Sequence, residues 1–260
     1  MLRTENLSYE LHGRRLLAPL SVSFKPGQLH AIFGPNGAGK STLLRLLARE
    51  WLPSAGSITL DDRPLGEWPA AELSRHRAML PQQHALSFPF SAREVVELGR
   101  LHAVRQTAAQ ERAIASEALA ACGASALAPR SYAQLSGGER ARVQLARVLA
   151  QIWRSPNGAS RYLLLDEPTA HLDLAFQHAC LRLARDWLQH QVCVIAVLHD
   201  PNLVLSYADE VIVIADGQLH AQGAPAEVIT GALMQDVYGL GADRVQTASG
   251  GHWLAVRSGI

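Results

Sequence analysis

The sequence predicts an α/β core interrupted by an all-α insert. Strand and helix signals alternate towards both ends of the 260-residue chain, whereas residues 92–153 are rich in Ala, Glu, Arg and Leu. That middle stretch has helical periodicity and almost no β-branched clusters. A glycine-rich loop, placed between a short apolar strand and a helix, adds a third signal.

The elements follow in order. Leu29-His30-Ala31-Ile32-Phe33 reads as a short buried strand running into the glycine loop, with residues 41–50 as the helix after it. Ser57-Ile58-Thr59-Leu60 reads as a further strand, bounded by Gly56 and a turn at Asp61-Asp62. Strands return at 162–165, 192–198 and 210–215, and Ser155-Pro156-Asn157-Gly158-Ala159-Ser160 has loop composition. The expected organisation is a core from residues 1–83 and 158–230, a helical subdomain from 84–157, and a small C-terminal appendage, 231–260, with a strand-like stretch at 252–257.

Bulk properties exclude several classes. A net charge of +1, with no Lys/Arg run, leaves no electrostatic footprint for nucleic acid. The longest apolar stretches, 192–198 and 211–215, fall far short of the ~20 residues a membrane span needs. Met1-Leu2-Arg3-Thr4-Glu5-Asn6 lacks the apolar core of a signal peptide. Cys122, Cys180 and Cys193 have no metal-ligand spacing and read as buried thiols in a reducing compartment. The expectation is a soluble intracellular protein.

Three segments carry chemistry. Gly34-Pro35-Asn36-Gly37-Ala38-Gly39-Lys40-Ser41-Thr42 fits the phosphate-loop pattern, G-x-x-x-x-G-K-[ST], in the required strand–helix context. Its glycines let successive backbone N–H groups face phosphate oxygens, and the following helix adds its positive end. Lys40 would reach the β- and γ-phosphates of ATP, Ser41 would ligate Mg²⁺, and Thr42 would sit beside the α- and β-phosphates. Leu163-Leu164-Leu165-Asp166-Glu167-Pro168 is an apolar strand ending in two acids. Asp166 suits the magnesium shell and Glu167 suits polarising an attacking water. Leu135-Ser136-Gly137-Gly138-Glu139 opens a helix and forms a second anion-binding turn, although Ser-Gly-Gly there is also an ordinary N-cap. One chain with two phosphate-facing loops is most economically a head-to-tail dimer, each copy capping the γ-phosphate bound by the other.

In this order the three segments strongly resemble the ATP-binding subunit of ABC transporters, over nearly the whole chain to about residue 230. The resemblance implies a P-loop NTPase core with an N-terminal antiparallel β portion and the inserted helical subdomain. It implies that Tyr9 stacks on adenine, that Gln82 senses Mg²⁺ and the γ-phosphate, and that His199 orients water and γ-phosphate. Asp173 would lie in the loop touching the partner protomer. Residue 83 is also Gln, leaving the sensing glutamine open by one position, and Glu139 stands where many relatives have Gln. The segment after Gln82, Ser87-Phe88-Pro89-Phe90, is the expected contact for a membrane subunit.

Within that family, residues 81–90 resemble the haem, siderophore and cobalamin importers, and Gln151-Ile152-Trp153-Arg154-Ser155-Pro156 resembles the haem importers. The resemblance implies a homodimer of ATPase subunits, peripheral on the cytoplasmic face of the inner membrane. It also implies an integral-membrane permease dimer and a periplasmic substrate-binding protein. The resemblance implies haem as the cargo, with an iron–siderophore or cobalamin as the alternative. A soluble ABC ATPase acting on nucleic acid is the competing class, without the coiled coil or basic face such proteins usually carry.

Overall fold

The computed structural model describes residues 1–82, 89–102, 107–154, 159–170, 172–246 and 250–257. They form two compact units: Met1–Glu67 with Ile195–Ile260, and Trp68–Val194. The strand Val192–Val197 carries the chain from the second unit back into the first.

In the first unit, Leu2–Leu11 is the centre of an antiparallel sheet. It pairs with Arg14–Leu20, Ser23–Phe24 and Ala55–Leu60, and Arg63–Pro64 pairs onto Ala55–Leu60. Two hairpins close through two-residue turns with positive φ at both central positions, His12-Gly13 (50° and 77°) and Asp61-Asp62 (48° and 62°). That twist matches the right-handed twist of the flanking strands.

Beside this sheet in sequence runs a parallel pair. Leu29–Phe33 aligns with Glu210–Ala215 in the register His30↔Glu210 to Phe33↔Val213, and Gln218–Gly223 returns antiparallel to the latter. All five residues of Leu29–Phe33 are buried, as expected of a strand covered on both faces. Its one polar member is His30. Nε2 accepts the Lys25 amide at 2.9 Å, which leaves Nδ1 to face Glu210 Oε2 at 3.2 Å. Burial, the largest influence, holds the imidazole below its ordinary pKa despite Glu210.

The C-terminal residues are tied into this unit. Ala242–Gln246 and His252–Val256 form an antiparallel hairpin. Asn202, on the helix Pro201–Tyr207, donates through Nδ2 to the Leu254 carbonyl (3.2 Å) and accepts the Leu254 amide on Oδ1 (2.7 Å).

The second unit pairs Arg77–Leu80 in parallel with the fully buried strand Arg161–Leu165. Its helices include Ala92–Leu98, Ala108–Ala121, Gly137–Gln151 and Leu174–Asp186. The first three open with capping boxes, Ser91/Glu94, Thr107/Gln110 and Ser136/Glu139, each worth roughly 0.5–2 kcal/mol at the N-cap. Val95, Ile114, Leu119, Val143 and Leu149 are buried among the helical segments. Gly99 permits close packing, because a Cβ there would stand 2.2 Å from the Arg147 carbonyl oxygen. All three cysteines are buried and free.

Candidate functional site

The first unit contains the phosphate loop. The strand Leu29–Phe33 delivers the chain to Gly34, whose φ is 145° and whose Cβ would lie 1.9 Å from the Ile214 carbonyl oxygen. Only glycine fits. Gly37 and Gly39 also have positive φ, 78° and 100°, which turns the backbone into the helix Lys40–Leu47. The loop is braced from outside: Gly217 donates to the Ala38 carbonyl, and Ala18 donates to Gly217.

Lys40 is buried, and its Nζ donates to the Gly34 (2.7 Å) and Pro35 (2.6 Å) carbonyls. The cation is therefore held against the backbone of the loop it would serve. Ser41 and Thr42 follow in the first helical turn, where backbone N–H groups have no intrahelical acceptor.

Tyr9 lies in the same unit, stacked on Trp51 with ring centroids 5.1 Å apart at 15°, and Arg45 stands 4.8 Å over the other ring. One face of Tyr9 is thus occupied by a tryptophan that the sequence motifs did not single out. His199 follows the strand Val192–Val197 and is exposed, and Asp200 caps the next helix by accepting the Asn202 amide at 2.7 Å.

Tyr238 was also unanticipated. It ends the helix Gly231–Tyr238, packs 5.4 Å from Phe33, and neighbours the backbone of Gly34. Burial pushes its phenol up to about 12, against the smaller opposing effect of the Gly34 backbone. The region had no motif to mark it. Its link to the phosphate loop is made only by folding.

The second unit gathers the acids. Asp166 is 1% exposed at the end of Arg161–Leu165, and its amide donates to the Leu80 carbonyl. Glu167 follows with φ 52°, a left-handed conformation costing a non-glycine residue about 1–3 kcal/mol. Gln82 Nε2 donates to Glu167 Oε2 at 2.8 Å. Gln82, Tyr132, Gly137, Arg140, Asp166 and Glu167 all line one cavity of about 280 Å³. Tyr132 is held from behind by Gln144, whose Nε2 donates to the phenol oxygen at 2.8 Å.

Ser136 and Asp173 belong to this unit but lie outside that lining. Ser136 Oγ accepts the Glu139 amide on an acceptor lone pair, completing the N-cap. The Ser136 amide, then its hydroxyl, then Arg130 hold the Glu139 carboxyl below its ordinary range. Gly138 stands beside Leu172, 4.0 Å from a hypothetical Cβ. Asp173 caps Leu174–Asp186, accepting the Phe176 amide at 2.9 Å.

Gln83, Ser87 and Phe88 lie outside the described residues, as do 155–158. Pro89 is exposed and Phe90 half-buried, its carbonyl accepting the Tyr132 amide.

The ABC transporter family matches residues 17–170, which include the phosphate loop, the Ser136 turn and the Asp166 strand. The chain belongs to the ABC transporter family. It carries the family's ATP-binding domain; Tyr9, Asp173 and His199 lie beyond the matched span. The hemin import ATP-binding protein HmuV of Gloeobacter violaceus is 47% identical over 241 residues, covering 92% of this chain and 88% of that protein. The protein of that name from Escherichia coli O157:H7 is 45% identical over 240 residues, 92% of each. Among solved structures, an inward-facing ABC transporter described as of metal-chelate type aligns with TM-score 0.80 and 25% identity, covering 98% of this chain and 96% of that one. The dimeric ATP-binding cassette MJ0796, in a post-hydrolysis state with ADP and Pi, aligns with TM-score 0.75 and 26% identity, covering 86% and 99%. The α/β ABC ATPase fold expected from the sequence is the fold observed.

Proposed function

We propose that this ABC ATPase powers the uptake of haem, working as a homodimer beneath an integral-membrane permease dimer on the cytoplasmic face of the inner membrane. The observation that carries the proposal is 47% identity across about nine-tenths of both chains to a hemin import ATP-binding protein. No helix among the described residues is long and apolar enough to cross a membrane, which agrees with a separate permease. A periplasmic binding protein would deliver cargo.

Lys40 and the backbone N–H groups of residues 36–42 bind the triphosphate, offsetting its charge. Tyr9 stacks on the adenine. The donors present suit Mg²⁺: Ser41 offers a hydroxyl and Asp166 a buried carboxylate, both hard oxygen ligands, and Gln82 an amide oxygen. Among the described residues no cluster of three His, Cys, Asp or Glu forms a metal cage. That is consistent with an ion held partly by substrate phosphates, where it would neutralise charge developing on the leaving oxygens.

Glu167 polarises the attacking water, and Gln82 fixes its carboxylate in the orientation that the left-handed backbone initiates. His199 orients the water against the γ-phosphate. Ser136, Gly137 and Gly138 of one protomer donate to the γ-phosphate on the other, and Asp173 contacts the partner protomer. Binding closes the dimer, hydrolysis opens it, and the permease follows.

The test is reconstitution. The chain is combined with the permease dimer it copurifies with in proteoliposomes, and ATP-dependent accumulation of haem, a ferric siderophore and cobalamin is compared. Haem uptake alone supports the proposal; uptake of either other cargo in preference to haem overturns the cargo assignment.

A further inference from the structure

The second unit holds another cavity, of about 310 Å³, among the helices Ala108–Ala121, Gly137–Gln151 and Leu174–Asp186. It is separate in its lining from the cavity bearing Glu167, sharing only Leu80, Ala141 and Pro168. Among the described residues its walls are apolar except for one charged side chain, Arg142, and no carboxylate lines it. The Arg142 guanidinium lies 4.2 Å over the Phe176 ring, and Nη1 donates to the Gly123 carbonyl at 3.1 Å. Its Nε is buried with no hydrogen-bond partner among the described residues. A buried cationic N–H without an acceptor is costly, so the site is electrostatically incomplete. Cys122 and Cys180 also line it, and burial pushes both thiols up, Cys180 to about 12. Both remain neutral and behave as small apolar groups.

From this geometry we infer that the cavity is a ligand site for an amphipathic monocarboxylate, its alkyl body among the helices and its carboxylate on Arg142. The volume falls in the range of small-molecule pockets, and a lone cation in an apolar lining complements one negative charge. Such a ligand would act on the catalytic segments. Leu80 precedes Gln82 by two residues, Pro168 follows Glu167, and Leu172 precedes Asp173. Cys180 Sγ also contacts the Pro168 carbonyl at 4.0 Å. An occupant braced against these walls restrains the backbone on which Glu167 turns and slows ATP turnover. This last consequence rests on the catalytic roles proposed above; the binding itself does not.

Isothermal titration of the full chain with sodium decanoate, below its micelle concentration, and with decanol separates the terms. Saturable binding of one decanoate per chain is expected, at least tenfold tighter than decanol. Arg142→Gln should bring decanoate to the affinity of decanol and leave decanol unchanged. Ala179→Phe, which fills the cavity, should abolish both; if that variant does not fold, the two ligands on the native chain still decide. No saturable decanoate binding, or equal affinity for decanoate and decanol, overturns the site. In a parallel assay decanoate should lower ATP turnover with a midpoint at its measured Kd, and Arg142→Gln should be resistant. Binding without any change in turnover overturns the coupling, whereas absence of hydrolysis at any decanoate concentration would refute the proposed function and leave the site to the binding data.

Discussion

The side-chain amide of Gln82 donates a 2.8 Å hydrogen bond to the Glu167 carboxylate, joining residues 85 positions apart in the chain. The bond restricts rotation of the carboxylate, which suits a group that polarises water. The link also connects the segment leading to the expected permease contact with the proposed catalytic carboxylate.

Replacing Gln82 by Glu sets two carboxyl groups at hydrogen-bond distance. Like charges at that range raise one of the two pKa values. A carboxyl group with a raised pKa is protonated from a higher pH downwards, so the acid limb of the pH–rate profile should move to higher pH. Measuring kcat between pH 5.5 and 8.5 checks this, and a profile superimposable on the native one would show that the pair does not act together.

Glu167→Gln should retain ATP binding and lose hydrolysis by about 10²–10⁴-fold, the usual range for a positioned acid–base group. With Mg-ATP the variant should elute as a stable dimer in size-exclusion chromatography. A monomer at saturating ATP, or native turnover, would refute the role.

Ser136→Arg places a bulky cation at the turn that opens Gly137–Gln151. If that turn serves the partner's nucleotide, monomers should bind ATP as before while hydrolysis collapses. Mixing with Lys40→Ala subunits should restore some turnover, because one composite site then carries both lesions and the other neither. Loss of ATP binding by Ser136→Arg monomers would argue against sharing between protomers.

Gly34→Ala and Gly37→Ala test the loop's backbone. At Gly34 a methyl group collides with the Ile214 carbonyl, whereas at Gly37 nothing lies within 4 Å and only the φ of 78° opposes it. Gly37→Ala should cost about 1 kcal/mol, and Gly34→Ala more, with loss of nucleotide binding. Thermal unfolding and nucleotide titration of both variants would show this order, and equal destabilisation would contradict it.

What the sequence disclosed follows from how local each signal is. The strands Leu29–Phe33, Arg161–Leu165, Val192–Val197 and Glu210–Ala215 are short, mostly apolar runs without polar alternation, so burial on both faces is written in neighbouring residues. The Ser136/Glu139 cap is equally local. The strand Leu2–Leu11 is harder to see. Its register shifts between Glu5 and Ser8 against one neighbour and between Leu7 and Tyr9 against another, which breaks the alternation expected of a strand. Trp51 and Tyr238 escaped for a different reason. Each reaches its partner, Tyr9 or the Phe33–Gly34 backbone, through contacts distant in sequence, and neither sits in a motif.

The amide of Asn202 gives the C-terminal hairpin more than a point of attachment. By donating to and accepting from Leu254, one side chain imitates the exchange a neighbouring strand would make. A two-stranded hairpin alone is marginal in water, so Ala242–Gln246 and His252–Val256 borrow their permanence from the helix Pro201–Tyr207. The two should open as one cooperative unit: the Leu254 amide would exchange with deuterium at the pace of that helix rather than of a fraying tail.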